Sequence, residues 1–289
     1  MRICRTIKEI QDACANLRVG VPNFTLGFVP TMGALHAGHL SLVSAAQAEC
    51  DGVVASIFVN PLQFGAGEDY DLYPRTFDED CRLLESAGVD LLFAPGAAEM
   101  YPPGANTIVE VRGIGDRLDG ASRPGHFRGV ATIVAKLFHI VAPQRAYFGQ
   151  KDAARVAVLR AIIRDLHFPV ELIACPTMRD PDGLAMSSRN RYLSTAERKQ
   201  AVLLRKALDA AAALLADGET ETHTLQDAIL RIFANDPDVR IDYVAIVDPT
   251  NLEPISDTSG GALIAVAVWI GKTRLIDNFV VEASAVTCG

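Results

Sequence analysis

The chain has 289 residues, 49% hydrophobic and 21% charged, which suits one large or two ordinary packed domains and excludes a disordered protein. Its net charge of −8 argues against an extended nucleic-acid surface, which needs a basic face, and leaves room for a local anion pocket. The charged start, Met1 to Ile10, lacks the apolar core of a secretory leader, and the most apolar run, Ala262 to Ile270, is too short to span a bilayer.

Residues 5 to 18 carry Ile7, Ile10, Cys14 and Leu17 at helical spacing and predict a first helix. Phe24 to Val29 reads as a short apolar strand stopped by Pro30, and Leu40, Leu42, Val43 and Ala46 predict a helix beginning near His39. Between them lies a small-residue turn with His36 and His39 three residues apart. That spacing is close to one helical turn, so both imidazoles can face one side of the helix mouth. The mouth presents unpaired backbone N–H groups and the positive end of the helix dipole, a seat for phosphate. Two imidazole donors there suit a triphosphate whose charge grows as its α-phosphorus is attacked. A lone H-x-G-H can also be two ordinary polar residues at a helix start; the strand–glycine-rich turn–helix context favours the phosphate site. No G-x-G-x-x-G occupies the turn, so a dinucleotide site of that kind is not indicated.

Asp51 to Asn60 is a near-continuous apolar run, the pattern of a buried parallel strand. It ends in Asn60-Pro-Leu-Gln63 at the carboxyl edge, where open α/β sheets bind ligands, so Asn60 and Gln63 are candidate substrate contacts. Simple turn chemistry is the other role open to them, above all to Asn60. An acid-rich helix over Thr76 to Ala87, a strand over Val89 to Pro95, a Pro-rich loop from Tyr101 and the alternating Thr107 to Val111 follow. Gly120 to Gly129 reads as a flexible basic loop in which Arg123, His126 and Arg128 either decorate a surface connection or handle an anion. A helix over Val130 to Val141 and a strand over Arg145 to Gly149 come next.

A second turn, Phe148-Gly-Gln-Lys-Asp152, again joins strand to helix. Gly149 lets backbone approach a ligand, Lys151 supplies a point charge for phosphate, and Asp152 can accept two ribose hydroxyls or simply cap the helix that runs to about His167. Val170 to Cys175 reads as another buried strand. In the third turn, Ser187 and Ser188 offer donors and Arg189 a charge, a mobile phosphate clamp for which Gly183 is the expected hinge. A capping box, Ser194-Thr-Ala-Glu197, opens a helix expected to continue to about Asp217, followed by a helix over Thr224 to Ala234. Three strands close the chain: Ile241 to Val247, Ala262 to Ile270 and Arg274 to Glu282. Strand–helix alternation thus gives way to helices followed by strands, which places a domain boundary near residues 176 to 184. Cysteines 4, 14, 50, 81, 175 and 288 form no C-x-x-C pair and predict reduced thiols in a cytosolic protein. No Cys, His and carboxylate cluster has structural-zinc spacing.

Five motifs stand in the order seen in pantothenate synthetases, which the chain resembles over essentially its whole length. They are Val29 to His39, Ser56 to Phe64, Ser122 to Gly129, Phe148 to Asp152 and Met186 to Asn190; Thr273 to Asn278 also fits. The resemblance implies an α/β fold: a Rossmann-like parallel sheet in an N-terminal ATP- and pantoate-binding domain, residues 1–178, and a smaller α+β C-terminal lid, residues 179–289. It implies a cytoplasmic homodimer acting on small molecules, with no nucleic-acid or membrane partner. The implied reaction joins pantoate to β-alanine through a pantoyl adenylate, consuming ATP with Mg²⁺ held by phosphates and water rather than by protein ligands. Implied ATP contacts run over Met32, Gly33, Ala34, Leu35, His36, Ala37, Gly38 and His39, then Gly149, Gln150, Lys151 and Asp152, and finally Met178, Met186, Ser187, Ser188 and Arg189. His39 matches the family's proton donor, with His36, Lys151 and Arg189 completing the catalytic set. Gln63, Asn60 and Met32 fall in the pantoate and β-alanine pocket. Two positions depart from the pattern. Ala37 replaces a frequent acidic residue, and Arg155 stands where a glutamine usually binds pantoate. Arg155 is expected to face pantoate and change its apparent affinity. An adenylyltransferase of coenzyme biosynthesis, or a nucleotide-binding homologue weakened by Arg155, are the competing readings.

Overall fold

The computed structural model describes residues 1–65 and 67–283; Cys288 lies outside them. They form two compact units, one of residues 1–65, 67–149 and 158–176, the other of residues 150–157 and 177–283. The short excursion 150–157 therefore groups with the C-terminal residues, which a single cut after residue 178 does not capture.

The first unit contains β1 (Arg2–Cys4), α1 (Ile7–Arg18), β2 (Leu26–Thr31), α2 (Ala37–Glu49), β3 (Gly52–Ile57), α3 (Phe77–Ser86), β4 (Leu91–Phe93), α4 (Ala97–Met100), α5 (Asp119–Ser122), α6 (His126–Val141) and β5 (Arg145–Gly149). After the excursion it takes up the later part of α7 (Ala153–Asp165) and β6 (Glu171–Cys175). All strands are parallel, in the order β1-β4-β3-β2-β5-β6. Sequence-successive strands run outward in one direction from β2 and in the other from β5, so β2/β5 is the topological switch point of the sheet. Val29, Val53, Ala55 and Leu92 pack with Leu42, Val43 and Ala46 of α2 and Leu84 of α3. Leu26, Phe28 and Val54, of opposite parity, are equally buried, so both faces of the sheet are covered.

In the second unit, α8 (Thr195–Ala201), α9 (Leu203–Ala216) and α10 (Thr222–Phe233) precede an antiparallel sheet of β7 (Val239–Val247), β8 (Ala262–Ile270) and β9 (Thr273–Val281). Ile264, Val266, Val268 and Ile270 of β8 share a core with Leu204, Leu208, Leu225, Ile229 and Phe233. An α/β parallel-sheet unit and a smaller α+β unit are thus both present.

Several expectations need correction. Pro30 does not stop β2: its register with β3 runs on through Pro30 and Thr31, while pairing with β5 ends at Phe28, so the missing N–H costs no bond on that side. Helix α2 starts at Ala37 rather than near His39. The alternating Thr107 to Val111 lies outside the sheets, its Val109 N–H taken by the Thr132 hydroxyl of α6. The supposed flexible basic loop is largely helical, with His126 and Arg128 already inside α6. Strand β6 is a sheet edge and half-exposed, not buried. The long C-terminal helix breaks at Val202 into α8 and α9, although its Ser194–Glu197 capping box is formed.

Candidate active site

The turn after β2 is fastened at nearly every backbone donor. Thr31 Oγ1 donates to the Ser56 carbonyl of β3 at 2.7 Å and accepts the Gly33 N–H at 3.2 Å. Gly33 and Ala34 follow with φ of 81° and 51°, a left-handed pair that turns the chain sharply. The buried Asp80 carboxylate of α3 then accepts Ala34 N–H at 3.0 Å and Leu35 N–H at 2.8 Å, while the Thr76 hydroxyl steadies both its oxygens at 3.2 Å. A cavity of about 260 Å³ opens alongside, with Met32, Gly33, Thr76 and Asp80 in its wall.

His36 is the N-cap of α2, its Nδ1 accepting Gly38 N–H at 3.1 Å, and His39 Nδ1 accepts His36 N–H at 3.3 Å. The rings lie 4.1 Å apart between centroids. With each Nδ1 serving as an acceptor, the proton of each neutral ring sits on Nε2, the tautomer these neighbours assign. The expectation of unpaired backbone donors at this mouth is therefore corrected. Gly38 N–H is spent on His36, and His39 and Leu40 N–H both return to the His36 carbonyl. The turn thus presents two imidazoles at the positive end of the α2 dipole.

At the end of β3, Asn60 and Gln63 flank a 3₁₀ turn, Pro61–Gln63. Asn60 is only 1% exposed, and its amide is consumed internally. Nδ2 donates to Gln63 Oε1 and the Gly129 carbonyl, and Oδ1 accepts from Leu62 N–H and the Tyr101 hydroxyl. In this arrangement Asn60 holds Gln63. Gln63 Nε2 reaches Met32 Sδ at 3.0 Å, bringing those two predicted pocket residues together. Gly129 permits this approach, since a Cβ there would overlap the Leu62 carbonyl. Arg123 pairs with Glu68 at 2.6 Å and also donates to His126, so it carries a structural bridge. Burial lifts the Glu68 carboxyl, but the Arg123 hydrogen bond and charge outweigh it and hold it below its ordinary value.

In the second unit, residues Gln150 to Asp152 form a 3₁₀ turn fastened to β9. Asn278 Nδ2 donates to the Gln150 and Lys151 carbonyls at 3.1 and 2.8 Å, and Gln150 Nε2 returns a bond to Asn278 Oδ1. Burial pushes the Lys151 ammonium below its usual range, opposed by Asp152 and Asp277 and aided by Arg189 and Arg155. Arg155 Nη1 lies 3.3 Å from Asp152 Oδ2, one helical turn away, with both side chains partly exposed. Buried Asp277 receives Arg179 through two bonds, 2.6 and 3.0 Å, and Arg179 also holds the Gly183 carbonyl. The segment from Met178 to Met186 is a closed hairpin, bridged at Arg179 and Ala185 and tied to Arg198 through Asp180 and Asp182. Gly183, at φ 86°, makes its tight turn. Ser187 then caps a 3₁₀ helix, Ser188–Tyr192, its Oγ accepting Arg189 N–H. The Met178 carbonyl accepts Met186 N–H, so those two expected ATP contacts are joined. Thr177 Oγ1 and Asn190 Oδ1 are buried here without a hydrogen-bond partner, polar atoms suited to a polar ligand.

Asp80, Tyr101, Asp277 and Asn278 were absent from the sequence-derived site. Asp277-Asn278 did leave a signal, a polar pair inside an apolar strand; Asp80 was masked by its acidic neighbours Asp78 and Glu79.

Fold and turn define a nucleotide-handling α/β enzyme whose ligand edge is the switch point of a parallel sheet. The family model for pantoate-beta-alanine ligase matches residues 2–280, and the chain belongs to that family. It is similar to a pantothenate synthetase of Acidobacterium capsulatum, 58% identical over 287 residues and 96% of each chain. One from Koribacter versatilis is 53% identical over 98% of this chain and 97% of the relative. A crystal structure of pantothenate synthetase from Thermus thermophilus superposes with a TM-score of 0.90 at 50% identity, covering 96% of this chain and 99% of that one. A Francisella tularensis pantoate-beta-alanine ligase complexed with beta-gamma ATP and beta-alanine gives 0.74 at 34% identity, covering 96% and 97%.

Proposed function

We propose that this chain is an ATP-dependent ligase that condenses (R)-pantoate with β-alanine to pantothenate, AMP and pyrophosphate through a pantoyl adenylate. The observation that carries this is the pair of imidazoles, tautomers fixed, on a fastened turn at the sheet's switch point. First, a pantoate carboxylate oxygen attacks the α-phosphorus, the bond to the bridging β-phosphate oxygen breaks, and pyrophosphate leaves. The nucleophile is already an anion, so the protein has no proton to remove. Its task is in-line placement and stabilisation of charge on the phosphate oxygens. The β-alanine amine then attacks the acyl carbon, the carbon–oxygen bond to AMP breaks, and the amine loses a proton as the amide forms.

In the first unit we assign His36 and His39 to the phosphates and Gln63 and Met32 to the acid substrates, Asn60 acting through Gln63. In the second, Lys151, Ser187, Ser188 and Arg189 serve phosphate; Gly149, which ends β5, leads into Gln150 and Asp152 on the ribose side. Met178 serves adenine, Met186 lies beside it on the ATP, and Arg155 serves the pantoate carboxylate. Residues 1–178 and 179–289 are proposed as the functional division into binding domain and lid. Among the described residues no group of three His, Cys, Asp or Glu converges on a metal. Mg²⁺ would arrive with ATP, held by phosphate oxygens and water, where it would neutralise phosphate charge. A cytoplasmic homodimer is the proposed working form; five free thiols among the described residues support a reducing compartment. No helix among those residues is long and apolar enough to cross a membrane.

The test supplies ATP and Mg²⁺ with pantoate and β-alanine singly and together, following AMP, pyrophosphate and pantothenate. AMP and pantothenate only when both acids are present is the expected result. Pyrophosphate without AMP would mean an adenylylated end product, and no turnover would mean a nucleotide-binding homologue disabled at Arg155.

A further inference from the structure

Two amides and a phenol stand in a row beside the proposed acid pocket, and their polarity can be read without ambiguity. The Gly129 carbonyl can only accept, so the Asn60 atom 3.1 Å from it is the amide nitrogen. Leu62 N–H can only donate, so the Asn60 atom facing it is the oxygen. The Tyr101 hydroxyl, 2.8 Å from that oxygen, must therefore donate. Asn60 Nδ2 passes the polarity on to Gln63, whose Oε1 accepts at 3.2 Å and whose Nε2 is left pointing toward Met32. The Gln63 backbone is held separately, its carbonyl accepting from His126 Nδ1–H at 2.8 Å while Arg123 donates to the other ring nitrogen.

We infer that Tyr101 is a positioning residue for the acid substrate: by donating to Asn60 Oδ1 its hydroxyl completes the set of bonds, with Gly129 and Leu62, that holds the Asn60 amide in the orientation that obliges Gln63 to present N–H rather than oxygen. A donor is the group an anionic carboxylate or a hydroxyl oxygen needs, whereas a flipped Gln63 would oppose oxygen to carboxylate. Tyr101 is well suited to the task. Its ring is held against Phe58 and beneath Lys136 Nζ, 5.3 Å from the centroid, so removal of the hydroxyl leaves the ring in place. Burial raises its pKa, keeping the phenol a donor.

The inference rests on the assignment of Gln63 to the acid substrate, so the experiment is a cycle. Tyr101→Phe, Gln63→Ala and their double variant are compared for KM of pantoate, of β-alanine and of ATP. Tyr101→Phe is expected to raise the pantoate KM about tenfold, the scale of one buried hydrogen bond, with the ATP KM unmoved and no further rise in the Gln63→Ala background. Asn60→Asp, which offers Gln63 only acceptors and so reverses its amide, is expected to raise the pantoate KM about a hundredfold. If Gln63→Ala leaves every KM unchanged, the assignment of Gln63 itself is wrong and the inference falls with it. If Gln63→Ala weakens pantoate while Tyr101→Phe does nothing, or adds its full effect in the double variant, Gln63 stands and the role given to Tyr101 is overturned.

Discussion

The two turns proposed to meet ATP are built on opposite principles. Around His36 and His39 the backbone is locked by hydrogen bonds that its N–H groups donate to Thr31, Asp80 and the imidazoles themselves, and the Asp80 carboxylate is buried behind the turn. Around Lys151 the backbone is fastened by the Asn278 amide, but the side chains crowd with formal charge: Lys151, Arg155 and Arg189 stand among Asp152 and Asp277. The first turn is a preorganised donor set that needs no rearrangement as charge develops. The second is a charge reservoir whose partners an incoming anion can exchange.

If the first turn works by preorganisation, losses there should fall on kcat. His39→Asn keeps a short polar side chain near the cap but removes the Nε2–H donor. It should lower kcat by about 10²–10³-fold with little change in melting temperature. Steady-state kinetics beside a thermal melt decide it, and a change confined to the ATP KM would reduce His39 to ground-state binding. Asp80→Ala touches no ligand, yet it strands the Ala34 and Leu35 N–H groups. It should destabilise by about 3 kcal/mol and lower kcat about tenfold to thirtyfold in the fraction that remains folded. Asp80→Asn, which keeps one acceptor, should fall between. Full kcat in folded Asp80→Ala would break the claim that the turn must be held.

The same contrast decides what the sequence could reveal. The parallel sheet was legible because buried strands such as Gly52–Ile57 are continuous apolar runs, and the paired histidines because they lie three residues apart. The three strands of the second unit were legible too, to within two residues. What escaped depends on partners distant in sequence. Asp80 reaches back 46 residues to Ala34, Tyr101 41 to Asn60, and Asn278 127 to the Lys151 carbonyl. No local pattern records such a bond. Thr107–Val111 shows the reverse limit, since its alternation is not matched by a partner strand and it forms none.

Arg155 tests the second principle, because its observed partner is an exchangeable one. Held at 3.3 Å by Asp152, it must leave that carboxylate if it is to serve pantoate. Arg155→Gln should raise the pantoate KM about fivefold to tenfold with kcat within about twofold, a partly exposed ion pair being of modest worth. Unchanged KM and kcat would take the side chain out of the pocket and leave it as an i,i+3 helix pair.

The smallest effect concerns Lys151, and its sign separates stability from activity. Burial first, then Arg189 and Arg155, outweigh Asp152 and Asp277, so the folded ammonium loses its proton below the ordinary 10.5. Between that lowered value and 10.5 the unfolded chain holds more protons than the folded one, so this residue's contribution to stability rises with pH across the window and is lost as pH falls through it. Activity should run the other way, because phosphate needs the charged form: kcat/KM for ATP should fall on an alkaline limb earlier than a solvent-exposed lysine would give. Lys151→Arg, which stays charged, should move that limb upward while leaving the acidic limb in place. A limb that stays put in Lys151→Arg would assign the titration to another group, and the second turn would then owe its function to geometry, as the first one does.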